Sequence, residues 1–169
     1  MQLAFRRLAA YWLDFVLLAA VLIGGQFLLY VVTSGFPFDR LEKGYQIELW
    51  VLAAMSLPTW LYFIGCEKYR GQTLGKRLLK LKVSSLPAGG AITWGQAVKR
   101  TFVKLLPWEL THLIILVPDP WWSVEEPANQ ALIYIPNLLM VVYIGFLFIT
   151  KGMKGLQDVW AKTRVEIEK

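Results

Sequence analysis

Cysteine and histidine are nearly absent from this chain of 169 residues, which has one of each, Cys66 and His112. A single cysteine excludes a disulfide within the chain and fits a reducing side of a membrane. One cysteine and one histidine also provide no Cys-His or Ser-His-Asp nucleophile set and cannot complete a two-metal site. We therefore predict no enzymatic activity, no cofactor and no metal centre.

A complete phosphate-binding loop is missing as well, although residues 71–77 invite the comparison. Such a loop needs four residues between its glycines and a hydroxyl side chain after its lysine. Here three residues separate the glycines, and an arginine follows the lysine. We interpret the segment instead as a turn that faces the lipid headgroups, a basic motif made of Gly71, Thr73, Gly75, Lys76 and Arg77.

Apolar residues dominate the chain. Hydrophobic side chains make up 56% of it, with 8 Trp and a mean hydropathy of +0.46, which is rare in soluble domains of this length. Four runs are long enough to cross a bilayer as helices, at residues 9–32, 47–66, 101–117 and 131–150. The first run exceeds a signal-peptide core and has no small-residue cleavage site after it, so we interpret it as a retained span.

Basic residues predict the orientation of these spans. Sixteen of the 18 Lys and Arg residues precede the first span or lie in the loop 67–100, at the start of the third span, or in the tail 151–169. The loops 33–46 and 118–130 hold the other two, Arg40 and Lys43. By the positive-inside rule both termini are cytoplasmic, in the inner (plasma) membrane. Because the charge flanks apolar runs, we expect anionic lipids of the cytoplasmic leaflet as partners and no nucleic acid.

The cytoplasmic parts should contain short ordered elements. Leu74, Leu78 and Leu81 fall on one helical face among basic residues, typical of an amphipathic segment on a membrane surface. Alternatively, residues 81–85 form a strand that pairs with residues 164–168 in a small β hairpin-like sheet. The fold predicted is an all-α membrane protein, a single-domain four-span helical bundle over residues 1–169 with these additions.

A capping box and three prolines refine the spans. Thr93 is followed three residues later by Gln96, so a helix should begin at Trp94 and continue into the third span. The last three spans contain Pro58, Pro107 and Pro136, which predict kinks or local unwinding.

Three polar residues fall inside the third and fourth spans. Glu109 and His112 have the spacing that places both on one helical face. They are either a hydrogen-bonded pair inside the bundle or part of a proton or cation path. Asn137 is open to the same two interpretations, since an intramembrane Asn often joins helices.

Charges at the edge of the first span are the most informative pattern. Arg7 and Asp14 are seven residues apart, close to two helical turns, so they share a face. They could pair with each other or with a charge from another helix. Alternatively, both extend to the headgroups and only fix the depth of the helix. Asp158 lies in the tail, where a solvated helix face is the default.

These features together resemble the RDD family of bacterial membrane proteins. The segments concerned are residues 6–14 (RRLAAYWLD), 71–83 (GQTLGKRLLKLKV) and 156–165 (LQDVWAKTRV). The family is named for one arginine and two aspartates, which correspond to Arg7, Asp14 and Asp158. This chain has Gln157 where a histidine often precedes the second aspartate, so any role of that histidine does not transfer.

The resemblance implies a multi-span bundle, and two functions follow as expectations. Some relatives have been linked to sodium–proton exchange, for which Asp14, Glu109 and His112 would supply titratable groups. Others are membrane adaptors, in which Arg7, Asp14 and Asp158 would tie the tail to the first helix. A protein of this size would need a homo-oligomer or a partner membrane protein to build a transport path.

Overall fold

The computed structural model describes residues 1–87 and 89–168 and is mostly helical. A π-helical segment, Leu52–Ser56, joins α2 to α3, and short 3-10 turns precede α6. The elements are α1 (Gln2–Thr33), α2 (Gly44–Val51), α3 (Leu57–Arg70), α4 (Leu74–Leu78), β1 (Leu81–Ser85), α5 (Trp94–Leu116), α6 (Tyr134–Ile149), α7 (Leu156–Ala161) and β2 (Thr163–Ile167).

Four helical stretches are long and apolar enough to cross a membrane, as predicted. They cover Gln2–Thr33, Gly44–Arg70, Trp94–Ser123 and Gln130–Ile149. The first begins seven residues before the predicted boundary because Arg6 and Arg7 are helical despite their charge.

The prolines act differently in the three later spans. The π-helical segment ends directly before the turn of α3 that contains Pro58, so local unwinding is found there. Helix α5 continues through Pro107 without a break. Pro136 lies in the first turn of α6. A backbone N–H at that position has no hydrogen-bond partner within the helix, so the proline costs no hydrogen bond there.

The helix start predicted for α5 is confirmed. Thr93 is its N-cap, and the Thr93 hydroxyl accepts a hydrogen bond from the Gln96 N–H at 3.2 Å. The Gln96 side chain returns the interaction, accepting from the Thr93 N–H at 2.9 Å. This reciprocal pair satisfies two of the donors that a helix leaves free at its start.

A two-stranded antiparallel sheet lies at one end of the bundle, which we call the sheet end. Val83 of β1 is opposite Val165 of β2, and the buried face of the sheet packs with Ile92, Ala97 and Ala10 to form the core. The predicted pairing is thus present. It is not a local hairpin, however, because α5 and α6 lie between the two strands in the sequence.

The segment after α3 differs from the predicted amphipathic helix. Helix α4 ends at Leu78, and Leu81 instead begins β1 with its side chain completely buried. Leu74 and Leu78 remain exposed. Only two of the three leucines are therefore in the helix. The third, Leu81, has an extended backbone, which buries its side chain in the core beneath the sheet.

The buried residues of helix α1 all lie in its first half. Throughout this fully described helix, burial is confined to Ala4, Arg7, Ala10 and Asp14, which share one face. Against that face lies Gly75 of α4, where a Cβ atom would be 2.1 Å from the Ala10 carbonyl oxygen. Such close approach requires glycine, and it fixes α4 directly onto α1.

Candidate functional site

Six buried or half-buried charged side chains form what we call the ion network at the sheet end. Two carboxylates, Glu67 and Asp158, bind four cations, Arg7, Lys76, Arg100 and Lys104. Arg7 Nη2 lies 2.5 Å from Asp158 Oδ2. On the other carboxylate, Arg100 Nε and Lys104 Nζ each lie 2.8 Å from a Glu67 oxygen. Arg100 also pairs with Asp158, so one guanidinium joins both carboxylates.

The ion network connects five helices and the sheet. Arg7 comes from α1, Glu67 from α3, Lys76 from α4, and Asp158 from α7. Arg100 of α5 also donates to the Thr163 hydroxyl in β2. Because the network includes residues from both ends of the described chain, it holds the tail against the first span.

Hydrogen bonds to the main chain complete the Arg7–Asp158 pair. Arg7 Nη1 donates to the Gly152 carbonyl oxygen at 2.8 Å, and Asp158 Oδ2 accepts from the Gly155 N–H at 2.6 Å. Buried charges are tolerated only with such satisfied geometry. The default interpretation of Asp158 as a solvated helix residue is therefore wrong, since its side chain is completely buried.

The charge on Asp158 is stabilised by its neighbours. Burial by itself would raise the pKa of Asp158, but the guanidinium groups of Arg100 and Arg7 and the Gly155 N–H hold that pKa below its ordinary value of 3.8. A depressed folded-state pKa contributes stability that is fully present above the ordinary pKa. That contribution is lost only as the pH falls through the lower, folded-state value.

Asp14 occupies a separate site, so it does not pair with Arg7. Its Oδ1 accepts from the Tyr62 hydroxyl at 2.6 Å and from the Gly75 N–H at 2.7 Å. Its Oδ2 accepts from the Thr73 hydroxyl at 2.5 Å. The shared helical face places Arg7 and Asp14 toward the same interior, but different segments meet them there. Asp14 thus anchors α4 rather than balancing the arginine.

Most of the basic motif at residues 71–77 lies inside the protein, whereas the prediction placed it at the surface. Thr73 and Gly75 are buried. The Thr73 hydroxyl and the Gly75 N–H both donate hydrogen bonds to Asp14. Lys76 turns inward to Glu67, with 12% of its side chain exposed. Gly71 ends α3 in the left-handed conformation, with φ 68°. Of the predicted motif, only Arg77 is fully at the surface.

A second buried polar group lies between the second span and α5, which we call the histidine cluster: Glu48, Ser56, Trp60, Glu109 and His112. His112 Nδ1 is 2.8 Å from Glu48 Oε2, and His112 Nε2 is 3.0 Å from Glu109 Oε2. Each ring nitrogen therefore faces a carboxylate, and the two carboxylates come from different spans.

Neutral donors orient Glu109 within the histidine cluster. The Ser56 hydroxyl donates to Glu109 Oε2 at 3.0 Å, and Trp60 Nε1 donates to Glu109 Oε1 at 2.8 Å. Ser56 is the last residue of the π-helical segment. π-Helical insertions often occur at functional sites because they redirect side chains.

Asn137 is not part of the histidine cluster. Its side chain is exposed on α6, and its amide donates to the Ile133 carbonyl oxygen of the preceding turn at 2.9 Å. The Asn137 amide therefore has a hydrogen-bond acceptor within its own helical segment and needs none from another helix. The structure separates Asn137 from Glu109 and His112, with which it was grouped in the sequence prediction.

Several residues of both sites were missed by sequence reasoning. Glu48 and Ser56 had no signal of their own in the sequence. Arg100 and Lys104 were counted as positive-inside charges. One signal was available in residues 67–104, which hold nine basic residues and one acid, Glu67. A lone carboxylate among so many cations can be shared by several of them.

A comparison with known protein families confirms the sequence resemblance. The model of the RDD family matches residues 2–162, nearly the whole chain. No curated protein and no solved structure matches it.

Proposed function

The chain belongs to the RDD family, and from that premise we propose that this multi-pass membrane protein exchanges protons for a cation through its histidine cluster. One observation carries the proposal: an imidazole inside the spans has a carboxylate within 3.0 Å of each ring nitrogen. Ionisable residues within spans are costly, and they commonly mark proton or ion pathways.

The chemistry of the histidine cluster suits exchange. Histidine gains and loses a proton near neutral pH, and it can accept the proton on one nitrogen while releasing it from the other. When His112 is protonated, its charge offsets part of the negative charge of Glu48 and Glu109. After the proton leaves, a monovalent cation can supply the same positive charge. Proton and cation would then alternate at one site.

The ion network is a poor candidate for this role. Both of its carboxylates already bind several cations at close range. Asp14, which was expected to titrate, is held by three neutral donors. We therefore assign these groups to folding and confine exchange to the histidine cluster.

Reconstitution into sealed liposomes tests the proposal. On adding sodium or potassium outside, the purified protein should dissipate an imposed pH gradient measured with a trapped pH-sensitive dye. Glu109→Gln and His112→Gln should each reduce the flux to that of empty liposomes, because each removes one titrating member of the cluster.

A matched control is Asn137→Ala, which removes an intramembrane polar side chain outside the cluster and should keep the wild-type flux. The proposal is wrong if wild-type protein gives no more flux than empty liposomes. Wild-type flux in Glu109→Gln would contradict it equally.

A membrane adaptor is the second candidate, favoured by the surface of the sheet end. Leu78, Trp160 and Val159 lie outside the spans, and they are 72%, 67% and 49% exposed. Large apolar side chains at such positions are typical of surfaces that contact a membrane or a partner protein. This alternative requires no cation-dependent flux in the liposome assay, so the same experiment separates the two functions.

For orientation, we propose that the sheet end is cytoplasmic, since it holds most of the basic residues. Single reporter cysteines in the loops 33–46 and 118–130, placed in a Cys66→Ser background, should react with a membrane-impermeant maleimide in intact cells. A reporter at Lys162 should react only after the cells are opened. The reverse labelling pattern would contradict this orientation.

A further inference from the structure

A cavity of about 420 Å³ lies beside the ion network, between α1, α5 and α6. This volume is within the range of roughly 300–1,000 Å³ typical of small-ligand sites. Most of its wall is apolar, with charged side chains gathered at one end. The apolar part is lined by Leu8, Phe15, Trp108, Met140, Ile144 and Leu147.

Exposed side chains of two spans line the cavity, which indicates a sideways opening toward the hydrocarbon region of a bilayer. Trp12 of α1 and Ile144 of α6 both line it, and they are 57% and 43% exposed. Both residues lie within spans. Leu8 of α1 and Met140 of α6 also line the cavity, so part of it is a gap between these two helices. An occupant could therefore enter from the membrane without crossing the bundle.

The charged end of the cavity has an excess of one positive charge. Among the described residues, its cations are Arg7, Lys76, Arg100 and Lys104, all of which line it. The carboxylates that face this group are Asp14, on the cavity wall, and Glu67 and Asp158, within the ion network. When Asp14, which lines the same cavity from its separate site, is included, three carboxylates are set against four cations. An unbalanced buried charge is unfavourable, so the site is complementary to one additional negative charge.

Lys104, like Lys76, forms an ion pair only with Glu67 in the described part of the chain. It shares the single carboxylate of Glu67 with Arg100 and Lys76. Its ammonium group also lies 4.0 Å from the centre of the Phe63 ring, a cation–π contact. An ammonium group has three donors, so Lys104 has capacity to bind a further acceptor in the cavity.

We propose that this cavity binds the phosphodiester head of one monoanionic phospholipid, with an acyl chain in the gap between α1 and α6. One phosphodiester supplies the missing negative charge, and phosphate oxygens are strong acceptors for Lys and Arg. The apolar wall and sideways opening favour a lipid over free phosphate. The proposal is independent of proton exchange, because no member of the histidine cluster lines the cavity.

Thermal unfolding of delipidated protein in a neutral detergent tests the proposal. Phosphatidylglycerol should raise the unfolding midpoint in a saturable way. Phosphatidylcholine, which has no net charge, and inorganic phosphate, which has no acyl chain, should each give a much smaller shift. Equal shifts with both phospholipids, or with inorganic phosphate alone, would overturn the proposal.

A charge variant tests the headgroup end. Lys104→Gln removes the excess positive charge and should weaken the apparent affinity for phosphatidylglycerol by about tenfold or more. Lys99→Gln removes an exposed charge from the same helix and should leave the affinity unchanged. If Lys104→Gln binds phosphatidylglycerol as tightly as wild type, the proposed site is wrong.

A volume variant tests the acyl-chain end without changing any charge. Ile144→Trp fills the gap and should abolish the phosphatidylglycerol-dependent shift. Val142→Trp places the same side chain on α6 at an exposed position outside the cavity lining, and should preserve the shift. An unchanged shift in Ile144→Trp would contradict the proposal even if Lys104→Gln fails to fold.

Discussion

Replacing Glu67 by glutamine should destabilise the protein by about 3–5 kcal/mol, the usual consequence of removing one partner from a buried ion pair. Glu67 is completely buried and is the carboxylate that binds Arg100, Lys76 and Lys104. Glutamine keeps the shape of the side chain but removes the counter-charge of Lys76 and Lys104 and one of the two counter-charges of Arg100. We expect low abundance in the membrane and a much lower unfolding midpoint in detergent.

A control and a double variant identify the cause as charge. Glu166→Gln changes an exposed carboxylate, so its effect should stay within about 0.5 kcal/mol. Adding Lys104→Gln to Glu67→Gln removes one unpaired cation, and it should restore part of the lost stability. A double-mutant cycle measures this coupling. Strict additivity of the two changes would show that the ion network does not act as a unit.

The second large effect is expected from Gly75→Ala. The new methyl group would lie 2.1 Å from the Ala10 carbonyl oxygen and 3.1 Å from Cγ of Asp14. The nearer atom belongs to the main chain of a long helix, so neither partner can move cheaply. Overpacking of this kind costs typically about 1–3 kcal/mol, occasionally more. Displacing α4 from α1 also breaks the hydrogen bonds to Asp14, so we expect a loss toward the upper end.

Gly65→Ala is the matched control. Gly65 lies within α3, and a methyl group there meets nothing within 4 Å. Alanine favours a helix more than glycine, by about 1 kcal/mol, so this variant should be as stable as wild type or more so. Chemical unfolding of both variants in the same detergent makes the comparison. Equal stability of Gly75→Ala and wild type would show that α4 is not clamped on α1.

The spans and the sheet could be predicted because their signals are local. An apolar run predicts a helix that crosses a membrane, and alternation predicts a half-buried strand. The Thr93–Gln96 capping box is also contained within four residues. The end of α4 was harder to predict, because the choice between helix and strand at Leu81 depends on a core built from other segments.

The partners of the charged residues could not be predicted in the same way. Arg7 and Asp14 share a helical face, which correctly indicates that both point inward. Which residue meets each of them depends on distant segments, and one of the donors to Asp14 is the N–H of Gly75. A main-chain donor has no side-chain signature in the sequence. The family resemblance identified Arg7, Asp14 and Asp158 together, but it could not indicate that they occupy two sites.

The position of β2 has a consequence for biosynthesis. A ribosome adds α7 and β2 only after all four spans have been made, so β1 has no partner strand while the spans enter the membrane. Arg7 and Arg100 likewise lack Asp158 until that moment. Synthesis of α7 and β2, rather than insertion of any span, therefore closes the bundle.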